Sequence, residues 1–93
     1  MPFAIGTLVM TRGIGTKMNE SADFAKFVVD AFYDKYRQGD WGDICQEDKK
    51  MNDSAVKNDD DRIVARYNNS HGDIYVITEW DRSVTTILFT DEY

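Results

Sequence analysis

The pattern of hydrophobic and polar positions changes several times along the chain, and these changes predict an α+β fold. Residues 3–11 (FAIGTLVMT) form an apolar run of the length typical of a β-strand, interrupted by Gly6. Residues 11–19 (TRGIGTKMN) hold Gly13 and Gly15, which predict a loop or one irregular turn. The spacing is not GxGxxG and no GK[ST] follows, so a phosphate-binding loop is not predicted.

Apolar residues then recur at helical spacing and predict one long helix that packs on the sheet. Asn19 or Ser21 can cap its start, where the carboxylates of Glu20 and Asp23 complement the helix dipole. Gly39 can end the helix in a left-handed conformation. The apolar stripe consists of Phe24, Phe27, Val28, Ala31, Phe32 and Tyr36.

A second, mostly polar helix is predicted over residues 45–58 (CQEDKKMNDSAVKN). Its apolar set is thin, and the acidic run at 58–61 ends it. We therefore expect this helix to lie on the surface.

Three runs rich in β-branched and aromatic residues close the chain, at 62–68, 74–80 and 84–90. The turns at 69–73 and 81–83 are short enough to make these strands an antiparallel meander. Apolar residues occur on both parities of the last two runs, which predicts central strands covered at least partly on both faces. We predict a single α+β domain over residues 1–93, with a four-stranded, mainly antiparallel sheet and element order β-α-α-β-β-β.

Charge narrows the classes of partner. The 93 residues include 11 Lys and Arg against 17 Asp and Glu, a formal net charge of −6. Direct binding to nucleic acid or to an anionic membrane requires a cationic face, so neither is expected. An acidic surface can instead keep the chain soluble, or occupy the nucleic-acid groove of another protein by charge complementarity.

The cysteine content and the N-terminal residues bear on compartment. Cys45 is the single cysteine and has no internal disulfide partner. The N-terminal residues lack the basic lead and the apolar run of a signal peptide, and no apolar segment approaches the length of a membrane helix. We expect a soluble cytoplasmic protein.

Candidate chemistry is sparse, and we expect no catalytic residues, metal or cofactor. His71 is the single histidine, so a zinc site within one chain is not expected, and Cys45 has no partner motif. An acid and base pair could be drawn from Glu79, Asp81 and Asp40, but nothing in their spacing selects a pair. Asp81 and Arg82 are better explained as residues that hold a turn.

Two segments combine an acid with a tryptophan and a tight backbone: GDWGD at 39–43 and TEWDRS at 78–83. Exposed tryptophan and arginine are typical of interface hot spots. We therefore predict a partner-binding site made by Asp40, Trp41, Asp43, Glu79, Asp81 and Arg82. Buried tryptophans would make these segments structural.

The same segments carry a resemblance. GDWGDICQEDKKMND at 39–53, IYVITEWDRSVTTILFTDEY at 74–93 and VMTRGI at 9–14 resemble a family of short bacterial proteins. That family looks like accessory genes of plasmids, phages and integrative elements, labelled "plasmid-related" or attached to type I restriction systems. Trp80 and Thr90 depart from its pattern, which has a smaller residue and a proline at those positions. The resemblance implies a mobile-element context, in which small acidic proteins are similar to inhibitors of host defence.

Three functions follow as hypotheses. The first is a non-enzymatic interaction protein of a phage or mobile element, an anti-defence inhibitor of the anti-CRISPR kind, which contacts a host nuclease or defence complex. The second is a sponge or sensor for a nucleotide signal, bound by Arg82 and the Gly13-Ile14-Gly15 segment. The third, ranked last, is an enzyme that uses Glu79 or Asp81. The sequence leaves a homodimer open.

Overall fold

The structure, a computed structural model, describes residues 3–93 of the chain. The strands are β1 (Thr7–Met10), β2 (Ile63–Tyr67), β3 (Ile74–Thr78) and β4 (Val84–Phe89). The α-helices are α1 (Arg12–Glu20), α2 (Ala22–Asp30) and α3 (Gln46–Asn58). A π-helical turn (Ala31–Lys35) and a 3₁₀ turn (Tyr36–Gln38) continue α2, and a further 3₁₀ turn covers Thr90–Glu92.

The sheet is mixed, in the order β1-β4-β3-β2. The last three strands form the antiparallel meander that the short turns predict. The prediction of a mainly antiparallel sheet was wrong in its first strand, because β1 pairs with β4 in parallel, Leu8 opposite Thr85. The helices between β1 and β4 supply the long crossover that a parallel pair requires, so β1 enters beside β4 in the same direction.

Residues 12–20 form α1 rather than the predicted loop. The Thr11 hydroxyl accepts a hydrogen bond from the Ile14 amide and caps the helix. A glycine inside a helix costs about 1 kcal/mol relative to alanine, which is why Gly13 and Gly15 argued against a helix here. Ile14 is fully buried in the core, and that packing outweighs the weak local propensity.

The long helix was predicted correctly in its limits and its stripe. Ser21 caps α2 by accepting from the Phe24 amide, and Gly39 ends the helical stretch in the left-handed region at φ 83°. Five of the six stripe residues are buried: Phe24, Val28, Ala31, Phe32 and Tyr36. The sixth, Phe27, is partly buried and packs against this core. The buried stripe residues pack on the sheet face formed by the inward side chains of β2, β3 and β4.

A chain of buried hydroxyls crosses this core and holds the N-terminal segment. Thr85 Oγ1 donates to the Ile5 carbonyl oxygen at 2.8 Å, and Thr78 Oγ1 lies 2.7 Å from Thr85 Oγ1. Tyr36 Oη lies 2.6 Å from Thr78 Oγ1. Because the chain ends on a carbonyl acceptor, the hydroxyls donate in sequence from Tyr36 to Thr78 to Thr85.

Helix α3 closes the β2 edge of the sheet. Asn52 is buried, and its amide donates to the Val64 carbonyl at 2.8 Å and accepts from the Val64 amide at 3.2 Å. Ala55 on the same helix reaches the core. On the outer sheet face Ile77 and Leu88 are buried, so β3 and β4 are central strands partly covered on both faces, as predicted.

Candidate functional site

The guanidinium of Arg82 ties two loops together at one end of the sheet. The side chain is 7% exposed and lies beneath the β3–β4 turn. It donates to the backbone carbonyl oxygens of Ala55 (2.8 Å), Asp60 (3.1 Å), Asp61 (2.7 Å), Glu79 (3.2 Å) and Trp80 (3.2 Å). Arg82 thus caps the C-terminus of α3 and fixes the β3–β4 turn at the same time.

The residues next to these hydrogen-bonded carbonyls form an acidic and aromatic surface, which we call the acidic end. It consists of Asp59, Asp60, Asp61, Glu79, Trp80 and Asp81. All of these residues lie within two residues of a backbone group that Arg82 holds. Trp80 is 66% exposed, and the three aspartates at 59–61 are exposed as well. The result is an exposed indole among five carboxylates on a fixed backbone.

Local chemistry explains the shape of the turn. Asp81 Oδ1 accepts from the Ser83 amide at 3.0 Å and from the Ser83 hydroxyl at 2.6 Å. These two bonds hold the pKa of the Asp81 carboxyl below its usual value. Arg82 adopts φ 61°, which is rare for a residue other than glycine. The conformation aims its side chain inward at the carbonyls.

Left-handed backbone at residues other than glycine is concentrated at this end of the molecule. Among residues 3–93, positive φ outside glycine occurs at Asp59, Asp61 and Arg82. Aspartate tolerates this region better than most residues, which accounts for the acidic run after α3. Residues held in rare conformations cluster at functional sites, and here they shape the acidic end.

The segment GDWGD has a structural role. Trp41 is 2% exposed, its ring packs against Phe3 and Tyr36, and its Nε1 donates to Asp53 Oδ1 at 2.9 Å. Gly42 at φ 76° bridges the backbone of β2, where any side chain would collide with a carbonyl oxygen. Trp41 is therefore part of the core and offers no surface to a partner.

The acids beside Trp41 complete the same structural unit. Asp40 Oδ1 accepts from the amide of Gly42 at 3.0 Å, and Asp43 Oδ2 accepts from the amide of Asn68 at 2.9 Å. The Asp40 carbonyl accepts from the Tyr67 hydroxyl at 2.7 Å, and burial raises the pKa of that phenol. Both carboxylates remain exposed.

The six residues predicted as one site are divided by the structure. GDWGD joins β2 at Arg66, whereas Thr78 at the start of TEWDRS pairs with Ile63. The two positions are three residues apart along β2, about 10 Å at the rise of a strand. Glu79 and Asp81 lie in the acidic end, Arg82 supports it from beneath, and Asp40 and Asp43 lie at the other end of β2.

The residues proposed for nucleotide binding are also separated. Arg82 precedes β4, whereas a Cβ on Gly13 would meet the Glu92 carboxylate and the Phe89 ring, beyond the other end of β4. The Nη1 and Nη2 atoms of Arg82 donate to five carbonyl oxygens, and its Nε lies 3.6 Å from the Asp59 carboxylate. The two groups are not brought together.

The remaining candidates have ordinary environments. Cys45 is free and exposed at the start of α3, and His71 is exposed in the β2–β3 turn. Within residues 3–93, no group of three or more His, Cys, Asp or Glu side chains is placed to hold a metal ion. None of the helices in that same range is both long and apolar enough to cross a bilayer.

A groove beside α3 is not predicted by the sequence pattern. It has a volume of about 470 Å³ and is bordered by α3 and by the outer face of β2 and β3. Arg62 lies 5.9 Å from the Tyr93 ring centroid and Arg66 lies 5.9 Å from that of Tyr75, while the two rings are 5.5 Å apart. Alternation of Arg62, Val64 and Arg66 along one strand face is the signal that could have indicated it.

Both arginines of this groove have acidic neighbours. Arg66 forms an ion pair with Asp73 at 2.9 Å, and the Asn69 amide and Arg66 together lower the pKa of the Asp73 carboxyl. Asp43, Asp48 and Asp61 line the same groove. It is thus a mixed surface rather than a cationic one.

Comparison of the chain with protein-family models, with curated proteins and with solved structures gives no match.

Proposed function

We propose that this chain is a non-enzymatic protein-binding module whose acidic end docks on a basic surface of a partner protein. The observation that carries the proposal is Trp80, an indole 66% exposed on a turn between Glu79 and Asp81. Leaving a tryptophan in water is unfavourable for an isolated chain, whereas a buried tryptophan is a frequent hot spot of an interface.

The construction of the acidic end supports binding in a fixed shape. Arg82 holds both loops through five carbonyl oxygens, so little backbone freedom is lost when a partner binds. The carboxylates at 59–61 and 81 are exposed, and they can speed association with a cationic surface over the range of the Debye length.

The kind of partner follows from this chemistry and from the resemblance to mobile-element proteins. A nuclease or defence complex that binds nucleic acid presents a groove of lysines and arginines. An acidic surface with a rigid aromatic anchor can occupy such a groove and exclude the nucleic acid. We therefore propose an anti-defence inhibitor, of the anti-CRISPR kind, that acts by protein–protein contact.

Affinity capture from host lysate, read by mass spectrometry, tests this proposal when it is run with variants. Wild type is compared with Trp80→Ala and with Asp59, Asp60 and Asp61 changed together to Asn, which keeps the side-chain shape. The matched control changes Glu20→Gln, Asp34→Asn and Glu47→Gln, which removes the same charge from exposed positions elsewhere.

We expect the control to retain the captured partner and both acidic-end variants to lose most of it. The purified partner should be a nucleic-acid-binding protein whose activity wild type inhibits. A partner captured equally by all four proteins would contradict docking through the acidic end.

The groove beside α3 favours a second candidate function, the binding of a nucleotide signal. Tyr75 and Tyr93 can stack with a base, and Arg62 can contact a phosphate. The three aspartates in the groove oppose an anion, which is why we rank this function second. A thermal-shift panel of cyclic nucleotides tests it: a shift that Arg62→Gln abolishes would support it, and no shift would remove it.

A further inference from the structure

The two edge strands of the sheet, β1 and β2, differ in whether other groups bond their outward backbone amides and carbonyls. The outward backbone groups of β2 are all hydrogen-bonded. The Asn52 side chain bonds the amide and the carbonyl of Val64. The Arg66 amide donates to the Trp41 carbonyl, and the Arg66 carbonyl accepts from the Asp43 amide. The β1 edge has no such cover within residues 3–93. Free strand edges are sites where another strand can add.

Strand alternation shows which backbone groups the β1 edge presents. The Thr7 amide donates to the Ser83 carbonyl and the Thr11 amide donates to the Ile87 carbonyl, so odd-numbered residues of β1 face β4. The amides and carbonyls of Leu8 and Met10 therefore point outward. In the part of the chain that the structure describes, no side chain or loop bonds to them.

The chemistry of this edge permits pairing. The first eleven residues hold no charged side chain, in a chain with 30% charged residues. Proteins commonly protect a free edge with lysine, proline, a bulge or a very short strand, and β1 has only the last of these, at four residues. Val9 is 40% exposed and Met10 is 42% exposed, so apolar side chains flank the open backbone groups on both faces.

We infer that β1 pairs with β1 of a second copy of this chain, antiparallel about a twofold axis at Val9. In this register Leu8 of one copy lies opposite Met10 of the other, and each such pair exchanges two hydrogen bonds. The two Val9 side chains meet across the axis, and two four-stranded sheets become one continuous sheet.

The occupant is a second copy because the edge is complementary to itself. It presents Leu8 and Met10 symmetrically about one exposed valine, so the same register satisfies both copies. Two chains of charge −6 repel each other, and they can approach through a face without charge. The β1 edge lies at the opposite side of the sheet from β2 and α3, so the dimer would leave both grooves open. The start of β1 adjoins the β3–β4 turn, where the Thr7 amide donates to the Ser83 carbonyl.

Light scattering coupled to gel filtration and analytical ultracentrifugation test this pairing. Wild type is measured from about 1 µM to 1 mM, the range of weak self-association. We expect twice the chain mass at the upper concentrations. Val9→Lys places two ammonium groups across the axis and should raise the dimer dissociation constant by more than about tenfold.

Mixing two Val9 variants of opposite charge tests the pairing by recovery of the dimer instead of by its loss. Val9→Lys and Val9→Glu should each be monomeric with an unchanged circular dichroism spectrum, and their equimolar mixture should regain the dimer mass. Val29→Lys, at an equally exposed position on α2, is the matched control and should dimerise as wild type does.

Three results would overturn the inference: a monomeric wild type across the whole series, a dimer that survives Val9→Lys, or folded Val9 variants whose mixture stays monomeric. A chain that captures its partner through the acidic end while remaining monomeric would refute the pairing and leave the proposed function intact.

Discussion

At the scale of single residues, Arg82 is the side chain on which the acidic end depends. Replacing it with methionine removes every donor to five carbonyl oxygens while keeping most of the apolar volume. We expect the free energy of unfolding to fall by about 3–5 kcal/mol in urea denaturation followed by circular dichroism. Arg82→Lys should restore little of it, because one ammonium group cannot reach acceptors on both loops.

An exposed arginine gives the comparison for that experiment. Arg37→Met changes the same chemical group at an exposed position and should stay within about 0.5 kcal/mol of wild type. If Arg82→Met were equally mild, or Arg82→Lys were equal to wild type, the guanidinium would not be what holds the two loops.

The buried phenols of Tyr36 and Tyr67 predict how the fold responds to alkali. Burial raises the pKa of both, with loss of hydration as the main cause. A folded-state pKa above the unfolded value of about 10 favours the folded state until the unfolded chain begins to ionise. Stability should therefore be lost as pH rises beyond about 10, toward the folded-state pKa values.

Near-ultraviolet absorbance of phenolate, measured against pH, checks this. Of the five tyrosines, the two buried ones should ionise only together with loss of the circular dichroism signal. The combination of Tyr36→Phe and Tyr67→Phe should flatten the alkaline limb of the stability curve. Ionisation of all five before unfolding would contradict the burial of these two rings.

The two tryptophans show what sequence reasoning could and could not decide. Each follows or precedes an aspartate in a tight segment, so composition alone gives them the same role. Gly42 lets the backbone pack directly against β2, and the neighbouring Trp41 is buried in the core. Trp80 lies on the β3–β4 turn, where its side chain stays exposed. This depends on a contact between residues far apart in sequence, which a local pattern does not contain.

At the scale of elements, the attachment of α3 to β2 rests on Asn52. Its side chain takes the place of a neighbouring strand for Val64. Asn52→Asp keeps the acceptor but sets a carboxylate against the Val64 carbonyl, and Asn52→Leu removes both bonds. We expect each change to cost about 1–3 kcal/mol of unfolding free energy.

Amide hydrogen exchange shows whether the lost stability arises at the contact between Asn52 and Val64. The Val64 amide should be protected in wild type and should exchange faster in both variants, while amides of β3 and β4 change only with global stability. Unchanged protection at Val64 would show that the amide is shielded by something other than Asn52.

Element prediction from the sequence succeeded where one physical signal dominated. The stripe from Phe24 to Tyr36 and the β-branched and aromatic runs of the last three strands are strong patterns, and both kinds of element formed where expected. The helix α1 was missed because two glycines mask the packing of Ile14. The parallel β1–β4 pair was missed because its partner lies at the far end of the chain, beyond any local turn.

At the scale of the whole molecule, the charged side chains that give the net charge of −6 are unevenly distributed. Residues 1–11 hold no charged side chain, while five carboxylates belong to the acidic end. The two proposals use these two regions separately, pairing of copies at the β1 edge and docking of a partner at the acidic end. A dimer would carry two acidic ends, which strengthens binding to any partner that offers two basic sites.

Binding kinetics with the captured and purified partner, measured at low and at high salt, test docking through the acidic end. We expect the association rate to fall about tenfold or more as salt rises, while the dissociation rate changes little. Replacing Asp59, Asp60 and Asp61 by Asn should lower association at low salt and have little effect at high salt. Trp80→Ala should raise the dissociation rate about thirtyfold with the fold intact. Binding that is insensitive to salt, to the triple Asn change and to Trp80→Ala would contradict docking through the acidic end.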